Sequence, residues 1–533
     1  MKTKNIIYLL MMAAMTVVSL TACNDYLDKM PDNRSEVDSE DKVVSLLTSA
    51  YPTHDYIYFN EMMSDNYDRY PRFKNHTVLS DSTWSWAPIM ETGTFSPANL
   101  WSDCFGGVTA ANMALEAIDN LGGPKDAVLK AARAEAIMLR AYCHFLLAVT
   151  FCAPFDKAKN AQNLGLPYQY DVERELNPQY ERGNLEDYYL QIQADLEEAL
   201  PDITEDNYTV PKYHFNLNAA YAFATRFYLF TEQWQKAIDC ANMVLGTNPK
   251  NMLRNWELHS TVARNYDEQA KQWVDAEQPA NLMLATTYGS YKTNFGAYST
   301  LNLYSHGAFV AKSETVRVPN FMWSTSYSTS KGAPYLSAPS TYSSNTHDRV
   351  LWFKLYYDFQ YTNIIKGTGY SRTVWVPFTG DEVLLSRAEA YIMLGEYDKA
   401  AADMNTWAKN IYGNPDNITP AGVQTYMSTI DYYTNQHPTF KKHLHPSFDI
   451  GAEGDVKESM LQAILFMRRI AGFYEGLRWW DIRRYGIVIY RRDITFDGDN
   501  IEKVVDELTV DDLRRTLQIP KRSIDAGFQP NPR

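Results

Sequence analysis

The chain has 533 residues, 50 Lys+Arg against 64 Asp+Glu for a net charge of −14, and five cysteines. Nucleic acid rewards clustered Lys and Arg, as does an anionic lipid surface, so this balance argues against both as partners of the protein's own surface. Length allows two or three domains or one large assembly of repeats, and a 14% aromatic content serves packing and ligand stacking alike.

The chain begins with Lys2 and Lys4, then an uncharged stretch over 6–20 (IIYLLMMAAMTVVSL), then Leu20-Thr21-Ala22-Cys23. The stretch has the length of a secretory h-region, whereas a spanning helix needs roughly 20 apolar residues. With small residues before the cysteine, the run resembles a bacterial lipobox. Residues 1–22 are expected to be a lipoprotein signal peptide, and Cys23 the acylated N-terminus that tethers the protein outside the cytoplasm. The competing reading is an ordinary signal peptide with an incidental cysteine. Several acyl chains hold better than one, since each buried methylene contributes about 0.8 kcal/mol. Cys104, Cys143, Cys152 and Cys240 show no CxxC spacing; buried thiols are expected, with a disulfide open in an oxidising compartment.

In chain order, 35–51 reads as a helix with a capping-type serine and early acidic residues. Residues 52–100 are rich in Tyr, Trp, Asn, Asp and Pro without a sustained period, and read as ordered loop. Helices are expected at 110–121, ending at Gly122-Gly123, at 127–151, ending before Pro154, and at 185–203.

Two later segments repeat one another. In 218–249, Tyr228 is followed by Trp234 and Lys236-Ala237; in 381–411, Tyr391 is followed by Tyr397 and Lys399-Ala400. Thr225 and Ala388 precede the tyrosines at equal spacing. The pattern is tetratricopeptide-like, an antiparallel helix pair with small residues at the close approach. Between the copies, roughly 250–380 is Tyr/Ser/Thr/Asn/Gly-rich and predicts a large loop-rich region with short strands. So long an irregular stretch points to function, and its aromatics argue against disorder. Residues 457–486 predict a helix, a break at Gly476 and a second short helix, and 517–533 an extended tail.

The run Arg468-Arg469…Glu475-Gly476…Arg478-Trp479…Asp481-Ile482…Arg484 resembles the signature of the SusD/RagB-type outer-membrane nutrient-binding lipoproteins of Bacteroidetes-like bacteria. So do CNDYLDKMPDN after the lipobox, AEAIMLRAYCHFLLAVTF (134–151), LLSRAEAYIMLGEYDKAAADMN (384–405) and LQIPKRSIDAGFQPNPR. The resemblance spans essentially the whole chain. One departure is Ala471, where the family usually has glutamate. The resemblance implies a mostly α fold in one unit over 23–533: about four tetratricopeptide-like helix pairs supporting a large loop-rich, minor-β ligand-binding face. It implies a non-catalytic protein at the cell surface, anchored in the outer membrane, with no cofactor. Such a protein binds a nutrient, most often a glycan, and serves a SusC-like TonB-dependent transporter. A protein-interaction scaffold and a lipid-anchored glycan hydrolase are the alternatives.

No phosphate-cradling GxxxxGK[ST], GxGxxG, HExxH or GxSxG pattern occurs. The spacing of His437, His443 and His445 fits no zinc set, and in FDGDN (496–500) an EF-hand register would put Ile501 and Glu502 where an oxygen ligand and a glycine are needed; no metal is expected. Glu475, Arg478, Asp481 and Arg484 alternate in sign at i, i+3 and read as scaffold. A sugar site wants flat aromatic platforms beside Asn, Asp and Arg. Two segments offer them: Asp65, Arg69, Arg72, Trp84, Trp86 and Trp101 in the first, and Tyr288, Tyr291, Asn294 and Trp323 in the second. At each aromatic, loop packing competes with ligand contact.

Overall fold

The computed structural model describes residues 37–175, 178–263, 265–295, 301–316, 318, 341–344, 347–411 and 417–533; Cys23 and Trp323 lie outside them. The fold is mostly α, with helices stacked as neighbouring pairs. Pro97–Asn120 packs on Ala127–Phe151, followed by Leu185–Ala199; Leu217–Phe230 packs on Trp234–Leu245, and Gly380–Met393 on Tyr397–Ile411. Val456–Ala471 and Leu477–Arg484 close the helical body.

Side-chain caps start many of these helices. Asp126, Asn184, Asn216 and Thr379 each accept the backbone N–H three residues on, a bond that typically contributes about 1 kcal/mol. The Ala127–Phe151 helix is apolar and long enough to cross a membrane, yet its apolar window is wholly buried in the protein. Its alanines let neighbouring helices approach closely. Gly107 serves the same end: a Cβ there would lie 2.8 Å from the Ala50 carbonyl and 2.9 Å from Cys143 Sγ.

The two repeats superpose in chemistry as well as spacing. The carbonyls of Tyr228 and Tyr391 each accept the N–H five residues on, from Gln233 and Glu396, both at 2.8 Å. A left-handed residue turns each corner, Glu232 (φ 58°) in the first and Gly395 (φ 77°) in the second. Thr225 and Ala388 are buried at the pair contacts. Arg226 holds the copies together through Glu382, at 2.7 Å for both bonds.

Among the described residues the strands form three small sheets. β1 (Asp68–Arg69), β3 (Tyr304–Ser305), β8 (Ile489–Ile494) and β9 (Ile501–Leu508) run in the order β3-β1-β8-β9. β2 (Asn281–Tyr288), β6 (Tyr356–Asn363) and β7 (Thr368–Thr379) form an antiparallel sheet in the order β2-β7-β6, and β4 (Thr341–Ser344) pairs with β5 (His347–Val350). β7 runs straight into the Gly380–Met393 helix, which ties this sheet to the helical scaffold.

Several expectations are corrected. The first described helix is Glu40–Thr48, and Ser39 at its start makes no side-chain cap. Residues 52–100 contain two short helices, Ile57–Met63 and Val78–Trp84. The first is buried on every side, so it shows no amphipathic period to read. The helix expected at 110–121 begins at Pro97. The region 250–380 holds the short helices Trp256–Thr261, Tyr266–Trp273 and Ala308–Glu314, and β7 is 12 residues long. The tail contains Lys521–Asp525 and is pinned where Asn531 Nδ2 donates to the carbonyls of Phe151 (2.8 Å) and Leu517 (2.7 Å). Cys104, Cys143, Cys152 and Cys240 are free and buried.

Candidate functional site

The two segments singled out in the sequence lie against each other. The Tyr288 N–H donates to the Thr53 carbonyl (2.8 Å), Tyr70 N–H to Leu303 (2.7 Å), and β1 pairs with β3 through Asp68–Ser305 and Arg69–Tyr304. Beneath this seam runs a chain of ring contacts, buried except at half-buried Phe95: Tyr58 to Phe95 (5.3 Å), Phe95 to Tyr291 (4.8 Å), Tyr291 to Phe295 (5.4 Å) and Phe295 to Tyr474 (5.1 Å).

Much of what the sequence offered as ligand surface is this floor. Trp84 and Trp86 are 4% and 2% exposed, and their indole N–H groups donate to the carbonyls of Tyr67 (3.0 Å) and Met63 (2.9 Å). Buried indoles need such partners. Tyr291 is buried, its hydroxyl donating to Asp55 at 2.7 Å. Trp101 packs among Phe105, Phe151 and Phe528. Asn294 caps a 3-10 turn, its N–H donating to the Tyr291 carbonyl.

Asp65 is also interior. Arg478 grips it with two bonds, 2.9 and 2.8 Å, and Arg469 lies 3.3 Å away. Burial alone would raise this carboxyl; Arg469 and Arg478, with Lys442, outweigh it and hold the group well below the usual carboxylate range. The same cluster continues to Glu314, which meets Lys442 at 2.6 Å, Arg492 at 2.7 Å and Arg469 at 3.3 Å, and Arg492 grips Asp68 in turn. The charge ladder of 475–484 is scaffold, but its partners are mostly distant in the chain. Asp481 meets Arg468 (3.0 Å), and Glu475 meets Lys354 (3.0 Å). Within the ladder, among the described residues, only Arg484–Asp481, at 3.3 Å, follows the expected i, i+3 step. Lys354 Nζ also donates to the main-chain carbonyl of Ala471 at 2.6 Å, so the missing glutamate side chain leaves this lysine satisfied.

Among the described residues of this seam, two patches remain accessible. In the first, Arg69 is one-third exposed, pairs with Asp493 and lies 5.6 Å from the Trp84 ring centroid. Nearby, Tyr304 stacks on Trp84 at 4.9 Å and donates to Asp81, which also meets half-exposed His76. Arg72 sits between the rings of Phe73 and Phe496.

The second patch is a face of the β2-β7-β6 sheet. Tyr288, Arg372 and Asp358 stand in one cross-strand row, with Tyr370 and Gln360 in the next; cross-strand partners share a face. The Arg372 guanidinium lies 3.8 Å from the Tyr288 centroid and donates to Gln360 Oε1 at 3.0 Å. Tyr370 approaches Tyr288 edge-on at 5.8 Å and is 55% exposed. On the far side His54 lies 5.5 Å from Tyr288 and meets Asp103 at 2.9 Å. The face joins an exposed ring to fixed donors and acceptors. Of its members the sequence reading had found only Tyr288. The alternation in Tyr356–Asn363, polar Asp358 and Gln360 between Tyr357, Phe359 and Tyr361, was the available signal.

The SusD-like family described as starch-binding associating with outer membrane matches residues 25–229, and the SusD family matches residues 218–526. The chain belongs to the SusD family. Solved structures with the same fold include a Bacteroides vulgatus protein provisionally described as sugar binding, 16% identical with a TM-score of 0.65 over 94% of this chain and 99% of that one. A SusD superfamily protein of Bacteroides vulgatus is 19% identical, with a TM-score of 0.62 over 94% and 99%. A SusD-like carbohydrate binding protein of the same organism is 15% identical, with a TM-score of 0.58 over 92% and 97%. None of the curated proteins matches the chain.

Proposed function

We propose that this chain is a non-catalytic cell-surface lipoprotein that binds an oligo- or polysaccharide and hands it to a SusC-like TonB-dependent transporter of the outer membrane. In this reading residues 1–22 are removed, Cys23 carries the lipid, and 23–533 acts as one unit. Family membership supports the class, and the carbohydrate binding protein among the structural neighbours supports the ligand.

The observation that carries the assignment to a place is the row Tyr288–Arg372–Asp358 beside exposed Tyr370 and Gln360. A pyranose shows an apolar C–H face and a rim of hydroxyls. Tyr370 offers a platform for the face, while Arg372, Asp358 and Gln360 offer donors and acceptors to the rim. The stack on Tyr288 fixes the guanidinium before ligand arrives, which lowers the ordering cost of binding. Arg69 and Arg72, with Trp323, are the further ligand candidates.

Calorimetric titration of a panel of soluble polysaccharides tests the proposal. At least one glycan should bind, and Tyr370→Ala and Arg372→Ala should each weaken it about tenfold or more without lowering the melting temperature. Unchanged affinity in both variants moves the site to the Arg69 patch or to Trp323. Release of reducing sugar by the purified protein would end the non-catalytic reading, and metabolic palmitate labelling reads the anchor.

A further inference from the structure

The β6–β7 hairpin ends in Asn363-Ile364-Ile365-Lys366-Gly367-Thr368, and its two isoleucines are 82% and 98% exposed. Such turns ordinarily carry Gly, Asn, Asp, Pro or Ser; a pair of fully presented β-branched residues is costly in water. The turn is nevertheless built with care. Asn363 Oδ1 accepts the Lys366 N–H at 2.9 Å, Thr362 Oγ1 donates to the Thr368 carbonyl at 3.1 Å, and Gly367 takes φ 63°. The isoleucines are therefore held out by a defined backbone.

Behind the tip stand Tyr361 and Tyr370, 57% and 55% exposed. They project from opposite faces of the hairpin, since Gln360 pairs with Tyr370 and successive residues alternate faces. Lys366, the tip's own cation, has a long stem that can lie along apolar surface with its ammonium in the headgroups. An apolar point, a tyrosine collar one step back and a lysine with reach form the order of residues found where a protein dips into a bilayer. The family description, which places such chains in association with the outer membrane, puts a lipid surface within range.

We infer that Ile364 and Ile365 insert into the apolar layer of a lipid bilayer and give the protein a second, orienting membrane contact. The insertion is driven by apolar transfer and needs no anionic lipid, in keeping with a net charge of −14. It also brings the Tyr288–Arg372–Asp358 face close to the membrane, because the strands that carry the tip also carry Asp358 and Arg372. The inference does not rest on the glycan reading, and the experiment below reads the tip alone.

The test uses Ile365→Cys in residues 23–533 with Cys23→Ser, so that no leader, N-terminal lipid or N-terminal thiol contributes, labelled with an environment-sensitive nitrobenzoxadiazole probe. Cys104, Cys143, Cys152 and Cys240 are buried and should stay unlabelled. Met243→Cys, at a residue 57% exposed on a distant helix, is the control. With phosphatidylcholine/phosphatidylethanolamine vesicles, the probe at 365 should shift to the blue and be quenched by chain-brominated lipid, while the control keeps its aqueous spectrum. Partition of the Ile364→Ser/Ile365→Ser variant should fall about tenfold or more, with little change when salt is raised. A water-like spectrum at 365 on vesicles overturns the inference. So does a probe that is shielded only on intact cells, since that would show a protein pocket covering the tip.

Discussion

Arg478 and Asp65 are 413 positions apart and joined by two parallel hydrogen bonds of 2.9 and 2.8 Å in the interior. The pair explains why a signature near the C-terminus and an aspartate near the start belong to one structural unit. Removing Asp65 strands the Arg478 guanidinium in a dry site, whereas Asp65 without Arg478 still faces Arg469 and Lys442. Asp65→Asn is expected to destabilise by about 3–5 kcal/mol, and Arg478→Met by less. Asp65→Asn with Arg478→Met should cost less than the two single changes added together, as measured by denaturant unfolding in a double-mutant cycle.

Glu61 is fully buried, accepts bonds from Asn66 (3.1 Å) and the Gly476 N–H (3.0 Å), and is pushed by burial from 4.5 to about 7. The folded state therefore keeps this proton longer than the unfolded chain does. Between about pH 4.5 and 7 the unfolded state ionises first, so Glu61's contribution to stability falls as pH rises, by about 3 kcal/mol in all. Glu61→Gln should flatten that part of the profile, a difference visible in paired melting curves across this range. Identical slopes would remove the linkage.

Gly476 and Gly395 both take left-handed backbone, φ 72° and 77°. A Cβ on Gly395 meets open space, whereas one on Gly476 would lie 2.9 Å from Tyr56 Cδ2 and 3.1 Å from Ile57 Cα. Gly395→Ala should cost about 1 kcal/mol, from conformation alone. Gly476→Ala should cost clearly more, and equal melting shifts for the two would show that the close approach relaxes freely.

Thiol counting reads the anchor independently. Cys104, Cys143, Cys152 and Cys240 are buried, and burial raises the thiols of Cys152 and Cys240 to about 11 and about 12, so these groups should be inert to a thiol reagent in the folded protein. After unfolding of the protein purified from membranes, four sites should react if Cys23 carries a thioether lipid, and five if it does not.

The helix pairs were legible because their signals are local: tyrosine, alanine and small-residue spacings recur in 218–249 and 381–411, and each pair closes on itself. The break at Gly476 was legible for the same reason. The partners of Asp65, Arg469 and Arg492 were not, since a charge gives no sign of a counter-charge hundreds of residues away. Trp84 and Trp86 misled because an aromatic loop that packs inward has the same composition as one that greets a ligand. Arg372 and Tyr370 went unnoticed because a serine- and threonine-rich strand reads as loop until its alternation is counted.

The stretch Tyr56–Arg69 depends on residues made last: Asn60 donates to Gly476, Arg469 to Asn66, Arg491 to the carbonyls of Met62, Met63 and Ser64, and Arg492 to Asp68. Emerging early from the ribosome, it has no counter-ions until nearly the entire polypeptide has followed. A translation product halted before Arg468 would hold bare acids and unanswered carbonyls, and quality-control proteases should find it an open substrate.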